Sequence, residues 1–171
     1  GILKFYESVN ENKFFDSKCY NLSQWITLKK KHFYKYLAPF LVFYDTFIIW
    51  DRFLSHDNNL RKKPCISTAI HASDSKNLKN FILVVDNPFT LYEEYTEAQL
   101  IEINNYLLAW KKKLEDKFTK EVSVKIFLVN HKALKNIHQR YYAWSKFDEN
   151  IYNLTLDNIV NSVNMIVSPD C

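Results

Sequence analysis

Glycine is nearly absent from this chain, since Gly1 is the only glycine among 171 residues. P-loops, the glycine turns of Rossmann domains and the glycine-rich loops of kinases all need backbone conformations that only glycine adopts without strain. The sequence therefore excludes these three kinds of nucleotide-binding loop. The exclusion removes many functions but selects none.

The composition is that of a globular protein. Hydrophobic residues make up 47% of the chain and aromatic residues 16%, which excludes intrinsic disorder. The length favours a single domain over residues 1–171, and the absence of an initial Met is compatible with a domain cut from a larger protein. The longest apolar run, around Phe47 to Trp50, is far shorter than the roughly 20 residues that span a bilayer, so we expect no transmembrane helix.

The charge pattern weakly favours a phosphate-bearing partner, because the net charge is +4 and the pI is near 8.8. The chain has 20 lysines and 17 asparagines but three arginines, a bias typical of an AT-rich genome. Arg52 and Arg140 are therefore candidates for positions that need the planar guanidinium group. Basic clusters occur at residues 29–31, 61–63 and 111–113, and each has the alternative interpretation of a solvated helix face.

The cysteines and histidines show no metal-binding pattern. The three cysteines are widely spaced and form no C-x-x-C pair, and the five histidines lack the spacing of a zinc site. We therefore expect no metal and no cofactor. Unpaired cysteines indicate a reducing, intracellular setting, and the predicted location is cytoplasmic.

Three apolar runs are typical of buried strands, at residues 46–50, 81–85 and 122–129. Two further strands are expected at residues 137–144 and 151–156. Residues 10–21 are expected to be a loop, and residues 65–72 fit either a strand or a helix.

Two helices are expected. The first begins near Ser23 and has Phe40 on its apolar face. Thr96 is expected to cap a long helix whose apolar residues recur every three or four positions and face the sheet: Leu100, Ile103, Leu107, Trp110 and Leu114.

This order of elements predicts an α/β fold with a mixed central sheet. A strand, a long helix and a second strand form a parallel βαβ core flanked by helices. The strands that follow indicate an antiparallel extension of the same sheet.

A candidate site follows from the ends of the strands, because ligands of α/β sheets collect at the carboxyl ends of the parallel strands. Asp51 and Arg52 follow the first central strand, and His138 and Arg140 share one face of a later predicted strand. These four residues could converge on a phosphate group, with arginine forks on its oxygens and the histidine as a donor or a base. The alternative is a structural ion pair at the end of the sheet.

The segments 47–54, 81–86, 122–129 and 137–142 together resemble the phospholipase D-like fold, over most of residues 44–167. The His138-Gln139-Arg140-Tyr141 motif is similar to degenerate relatives of that fold, among them MIT-associated C-terminal modules and bacterial accessory proteins. An active phospholipase D site has H-x-K followed by an aspartate, whereas here the lysine is replaced by Arg140 and Ser145 stands at the aspartate position. The resemblance therefore implies phosphate recognition more readily than catalysis.

The leading hypothesis is a non-catalytic interaction domain that recognises phosphate, with nucleic acid as the first candidate ligand and a phospholipid headgroup as the second. Arg52, His138, Arg140 and Asp51 would form the site. One alternative is a phosphodiesterase or nuclease that uses His138 as its catalytic residue without a metal. Another alternative is a protein–protein interaction module of a larger assembly.

Overall fold

The apolar runs of the sequence form the centre of one β-sheet. A computed structural model describes residues 5–6, 19–21, 30–51, 54, 64–89, 94–129, 141–148, 151, 155–161 and 163–168. The strands are β1 (Phe5–Tyr6), β2 (Cys19–Asn21), β3 (Thr46–Trp50), β4 (Asn80–Asp86), β5 (Ser123–Val129), β6 (Tyr141–Ser145) and β7 (Met165–Ser168). The helices are α1 (Lys30–Leu41), α2 (Pro64–Ser73), α3 (Glu97–Glu115) and α4 (Leu156–Asn161).

The sheet is mixed, with the strand order β1-β5-β4-β3-β6-β7-β2. The four central strands are β5, β4, β3 and β6, and three shorter strands extend the sheet on either side. Strands β3, β4 and β5 run parallel, whereas β6 runs antiparallel to both β3 and β7. The prediction of a mixed α/β sheet flanked by helices is confirmed.

Two βαβ units build the parallel core. Helix α2 connects β3 to β4, and helix α3 connects β4 to β5. The predicted pairing of residues 81–85 with residues 122–129 is confirmed, since Phe81 pairs with Val124 and Val85 with Leu128. Both crossovers step in the same direction along the sheet, and right-handed connections therefore place both helices on one face.

Alternating side chains of the central strands divide the core between the two faces of the sheet. Phe47 and Ile49 pack in the cluster that includes residues of α1, α2 and α3. Ile48 and Trp50 pack in the cluster that includes residues of α4. Strand β3 is therefore covered on both sides, as its continuous apolar sequence predicts. None of the described helices is long and apolar enough to cross a lipid bilayer.

Helix α3 begins where the sequence predicts, at a capping box. The Thr96 hydroxyl accepts a hydrogen bond from the Gln99 backbone N–H at 3.2 Å, and the Gln99 side chain accepts one from the Thr96 N–H at 2.8 Å. The predicted burial of Ile103, Trp110 and Leu114 is confirmed, and Leu107 is partly buried against the core.

The predicted burial of Leu100 is wrong, because its side chain is 40% exposed. A helix of 19 residues is about 28 Å long, whereas the seven-residue strand beneath it is about 23 Å long. The first turn therefore extends past the covering surface of the sheet. Phe40, which the sequence assigns to the apolar face of its helix, is likewise 69% exposed in the last turn of α1.

Other segments also differ from the expectations. Within the expected loop at residues 10–21, Cys19–Asn21 forms β2 and pairs in parallel with β7. A three-residue strand carries no periodic signal of its own, so only its distant partner identifies it. Residues 65–72 belong to helix α2, and Leu156, expected in a strand, begins helix α4.

A buried hydrogen-bond chain ties α2 to the sheet. The indole N–H of Trp144 donates to the Ser73 hydroxyl at 2.8 Å, and that hydroxyl donates to the Ala69 carbonyl at 2.7 Å. The Trp144 ring stacks on Phe47 with the ring centroids 5.1 Å apart. The last residue of α2 is thereby linked to the centre of the sheet.

We predict that Ser73→Ala lowers the free energy of unfolding by about 1–3 kcal/mol, because the substitution leaves the buried indole N–H of Trp144 without its acceptor. The measurement is chemical denaturation of the full chain. The matched control is Ser75→Ala, since the buried Ser75 hydroxyl has no hydrogen-bond partner among the described residues. Equal losses of stability in the two variants would contradict the assigned role of Ser73.

Candidate functional site

The carboxyl ends of β3, β4 and β5 form the edge at which the sequence predicts a phosphate site. Asp51 lies there, directly after β3, and is fully buried. Arg52, His138 and Arg140, the other predicted members, lie outside the described residues. The four-residue site therefore stays a prediction.

Backbone hydrogen bonds hold Asp51 at the end of the sheet. Its N–H donates to the Val84 carbonyl at 3.0 Å, and its carbonyl accepts from the Leu54 N–H at 3.4 Å. A fully buried carboxylate does not reach a ligand in solvent. Any contribution of Asp51 to binding would consequently act by positioning the neighbouring chain.

The pairing of β3 with β6 shows that the residues next to the two predicted arginines in the sequence lie at neighbouring strand ends. Trp50 pairs with Tyr141, so the end of β3 lies beside the start of β6. In the chain, Arg52 comes directly after Asp51, and Arg140 comes directly before Tyr141. The two arginines are thus adjacent in sequence to neighbouring strand ends.

Polar groups at the end of β4 serve to end the strand. The Asn87 N–H donates to the Val129 carbonyl at 2.8 Å, and the Asn87 side-chain oxygen accepts from the Phe89 N–H at 2.9 Å. The second contact is an Asx turn, in which an asparagine side chain replaces a backbone acceptor. These bonds account for the turn after β4 without any ligand.

The opposite edge of the sheet is organised by the buried carboxylate of Asp45. One oxygen accepts from the Thr46 hydroxyl at 2.9 Å and from the Phe147 N–H at 3.0 Å, and the other accepts from the Asp148 N–H at 2.8 Å. Three donors satisfy much of the hydrogen-bonding capacity of a buried carboxylate. Asp45 therefore joins the start of β3 to the turn after β6.

The backbone of Asp45 extends this network to β4 and β5. Its carbonyl accepts from the N–H groups of Lys79 and Asn80, at 2.8 and 3.0 Å, and the Lys79 carbonyl accepts from the Ser123 N–H at 2.8 Å. The Asn80 amide also donates to the Thr46 hydroxyl at 3.2 Å. The starts of the three parallel strands are thereby held together.

A surface groove of about 410 Å³ opens beside this network, where β4 and β5 begin. We call it the basic groove, because three lysines and one glutamate account for its charged lining. Its lining residues are Lys76, Leu78, Lys79, Asn80, Lys120, Glu121 and Ser123. Three lysines therefore share one concave space.

Among the residues that line the groove, Lys120 has a lowered pKa. Burial lowers the pKa of Lys120 below its ordinary value of 10.5, the charge of Asp74 acts in the opposite direction, and the charge of Lys79, the smallest of the three effects, lowers it further. The Asp74 carboxylate is itself held by the Thr119 N–H at 2.8 Å. Lys79 and Lys120 are therefore close enough to act on each other electrostatically, and Asp74 offsets part of their positive charge.

Of the basic clusters of the sequence, the one at residues 111–113 is described with its side chains, and it does not line the groove. Lys111 lies 3.8 Å from Glu115 one helical turn away, and Lys112 and Lys113 are exposed on α3, as the interpretation of a solvated helix face expects. Residue 29 and residues 61–63 lie outside the described residues, as do the side chains of residues 30 and 31.

The groove lysines Lys79 and Lys120 do not belong to a run of consecutive basic residues, so the basic clusters of the sequence do not include them. Lys79 and Lys120 are 41 positions apart, but each stands shortly before a strand of the predicted parallel pair. Because the amino ends of parallel strands meet at one edge, the register of Asn80 with Ser123 brings the two lysines together. The predicted pairing of the two parallel strands therefore already implies that Lys79 and Lys120 lie near each other.

Comparisons with known proteins find no match, whether to a family model, a curated protein or a solved structure. The resemblance to the phospholipase D-like fold accordingly stays a prediction.

Proposed function

We propose that the protein is a non-catalytic interaction domain that recognises phosphate groups, and that the basic groove is a principal binding surface. The observation that carries the proposal is the pairing of Lys79 with Lys120 at one concave site. A phosphate placed between the two ammonium groups would make two attractive, charge-assisted contacts. Phosphate groups of this kind occur in nucleic acids and in phospholipid headgroups.

The shortage of glycine supports recognition by side chains. Glycine loops bind phosphate through backbone N–H groups, and this chain has no glycine after Gly1. Lysine binds phosphate as a flexible point charge and needs no special backbone conformation. The basic groove is suited to this second mode of recognition.

We also propose that Arg52, His138 and Arg140 form a second phosphate-binding surface near Asp51, at the opposite edge of the sheet. The support is the sequence adjacency of both arginines to the paired ends of β3 and β6. The bidentate geometry of arginine suits phosphate oxygens.

We further propose that the chain is related to the phospholipase D-like fold. Its four resembling segments correspond to β3, β4, β5 and the region of β6, which are four neighbouring strands of one sheet. The replacement of the motif lysine by Arg140, and the Ser145 at the aspartate position, favour binding over hydrolysis.

We predict that Lys79→Gln and Lys120→Gln each weaken binding of inorganic polyphosphate by on the order of tenfold at low salt. Each substitution removes one phosphate contact, so the slope of log affinity against log salt should decrease by about one unit. Fluorescence titration of the full chain over a range of salt concentrations measures both quantities. Binding should also weaken as the pH rises through the lowered pKa of Lys120, because only its protonated form attracts phosphate.

The matched controls are Lys112→Gln and Lys113→Gln, which remove the same charge from exposed positions of α3 outside the groove. Equal weakening in the groove and control variants would contradict a specific site and indicate attraction by net charge alone. Metal-independent cleavage of an oligonucleotide, abolished by His138→Ala, would contradict the non-catalytic assignment and favour the phosphodiesterase alternative.

We predict that Arg140→Lys weakens polyphosphate binding further when it is introduced into a chain that already carries Lys79→Gln and Lys120→Gln. Lysine preserves the charge but cannot form the bidentate contact, so affinity should fall by about fivefold to tenfold. The same titration measures it. Unchanged affinity in this triple variant would remove Arg140 from the binding surface.

A further inference from the structure

Three large apolar side chains are exposed together where α1 ends. Phe40 is 69% exposed, Val42 42% and Phe43 61%. We call these three residues the apolar tip. Neighbouring apolar side chains on a protein surface mark a site of interaction more often than single ones do.

The exposure of the tip is built into a well-anchored turn. Leu41, inside the tip segment, is buried in the core. The Phe43 N–H donates to the Phe40 carbonyl at 3.2 Å, and the Asn77 side chain donates to the Val42 carbonyl at 2.7 Å. The same segment that buries Leu41 therefore holds its neighbours toward solvent.

One lysine lies beside the tip, and another lies next in the chain to the residue that holds it. The Lys146 ammonium lies 4.6 Å from the centroid of the Phe43 ring, a cation–π distance. Lys76, which lines the basic groove, is next in the chain to Asn77, the residue that holds the tip. The chain at residues 76 and 77 therefore links the basic groove to the tip.

Acidic side chains are fewer on this surface. Asp148 lies 3.8 Å from Lys146, and Glu121 lines the groove. Asp74 also acts on Lys120, so three acidic side chains stand against four lysines, at positions 76, 79, 120 and 146. The charges therefore complement an anionic surface, with an apolar projection at its margin.

We infer that the apolar tip and the basic groove together dock the protein onto an anionic lipid bilayer. Phe40, Val42 and Phe43 would enter the boundary between headgroups and acyl chains, while the lysines contact lipid phosphates. The inference rests on the proposed function, and it names a lipid surface as the source of the phosphate groups.

The chemistry of the tip favours lipid over nucleic acid. Nucleic-acid surfaces stack bases on the faces of aromatic rings, but Val42 has no ring. The Lys146 ammonium lies over the Phe43 ring. The Tyr44 ring is inclined at 86° to the Phe43 ring, with the two centroids 5.3 Å apart. A mixture of aromatic and aliphatic side chains on a turn is suited to an apolar, unstructured partner such as acyl chains.

The experiment is co-sedimentation of the full chain with vesicles. With phosphatidylcholine vesicles containing about 30% phosphatidylserine, we expect saturable binding. Omitting the anionic lipid should weaken binding by about fivefold for each lysine that lies at the membrane surface. Phe40→Ser combined with Phe43→Ser should weaken binding by at least about tenfold. Both side chains are exposed, so the double variant should fold normally.

The matched control combines Ile101→Ser with Leu108→Ser, which removes two exposed apolar side chains of α3 that belong to neither the tip nor the groove. This control should bind vesicles like the unmodified chain. The Phe40→Ser and Phe43→Ser double variant should retain its affinity for inorganic polyphosphate, since the groove lysines are unchanged.

Several results would overturn the inference. One is polyphosphate binding without vesicle binding, which leaves the proposed function intact but removes the membrane as partner. Another is equal vesicle binding by the tip variant and the control. Single-stranded oligonucleotide binding or self-association that the tip variant abolishes, without vesicle binding, would assign the tip to nucleic acid or to a second copy of the chain. Failure of the unmodified chain to bind polyphosphate would mean that the proposed function itself fails.

Discussion

The buried carboxylate of Asp45 is the interaction on which the arrangement of this protein most depends. It accepts hydrogen bonds from the turn after β6, and the backbone of the same residue accepts them from the start of β4. Removing a donor to the carboxylate would leave a buried anion less satisfied, which is costly in a low-dielectric environment. The backbone carbonyl of Asp45 holds Lys79 at the groove, and its carboxylate holds the turn that follows Lys146 beside the apolar tip, so this one residue helps to position the basic groove and the apolar tip.

The shortage of glycine bears on the turns of the chain and on the proposed mode of recognition. Asp148 is the one residue with a positive φ, 60°, in the part of the chain that the structure describes, and aspartate tolerates this left-handed conformation better than most residues. Its N–H is held by the Asp45 carboxylate. A turn that glycine often makes is thus stabilised by a hydrogen bond. The proposed recognition of phosphate by lysine side chains likewise needs no glycine.

The sequence predicts the core of this fold well because its signals there are local and strong. The apolar runs of β3, β4 and β5 and the Thr96 cap of α3 each depend on neighbouring residues. Strand β2 could not be predicted, because its three residues are identified only by pairing with β7. Periodicity showed which side of a helix is apolar but not where the sheet beneath it ends, and so it misassigned Phe40 and Leu100. The groove lysines emerged only from the register of two distant segments.

The central claim is that phosphate is recognised mainly at the amino ends of the parallel strands. Amide chemical shifts of the ¹⁵N-labelled full chain, recorded by NMR during titration with inorganic polyphosphate, test it most directly. The account predicts that the largest shifts occur at Lys79, Lys120 and Ser123, which line the basic groove. Shifts confined to Asp51, Asp86 and Asn87, at the opposite edge of the sheet, would contradict it.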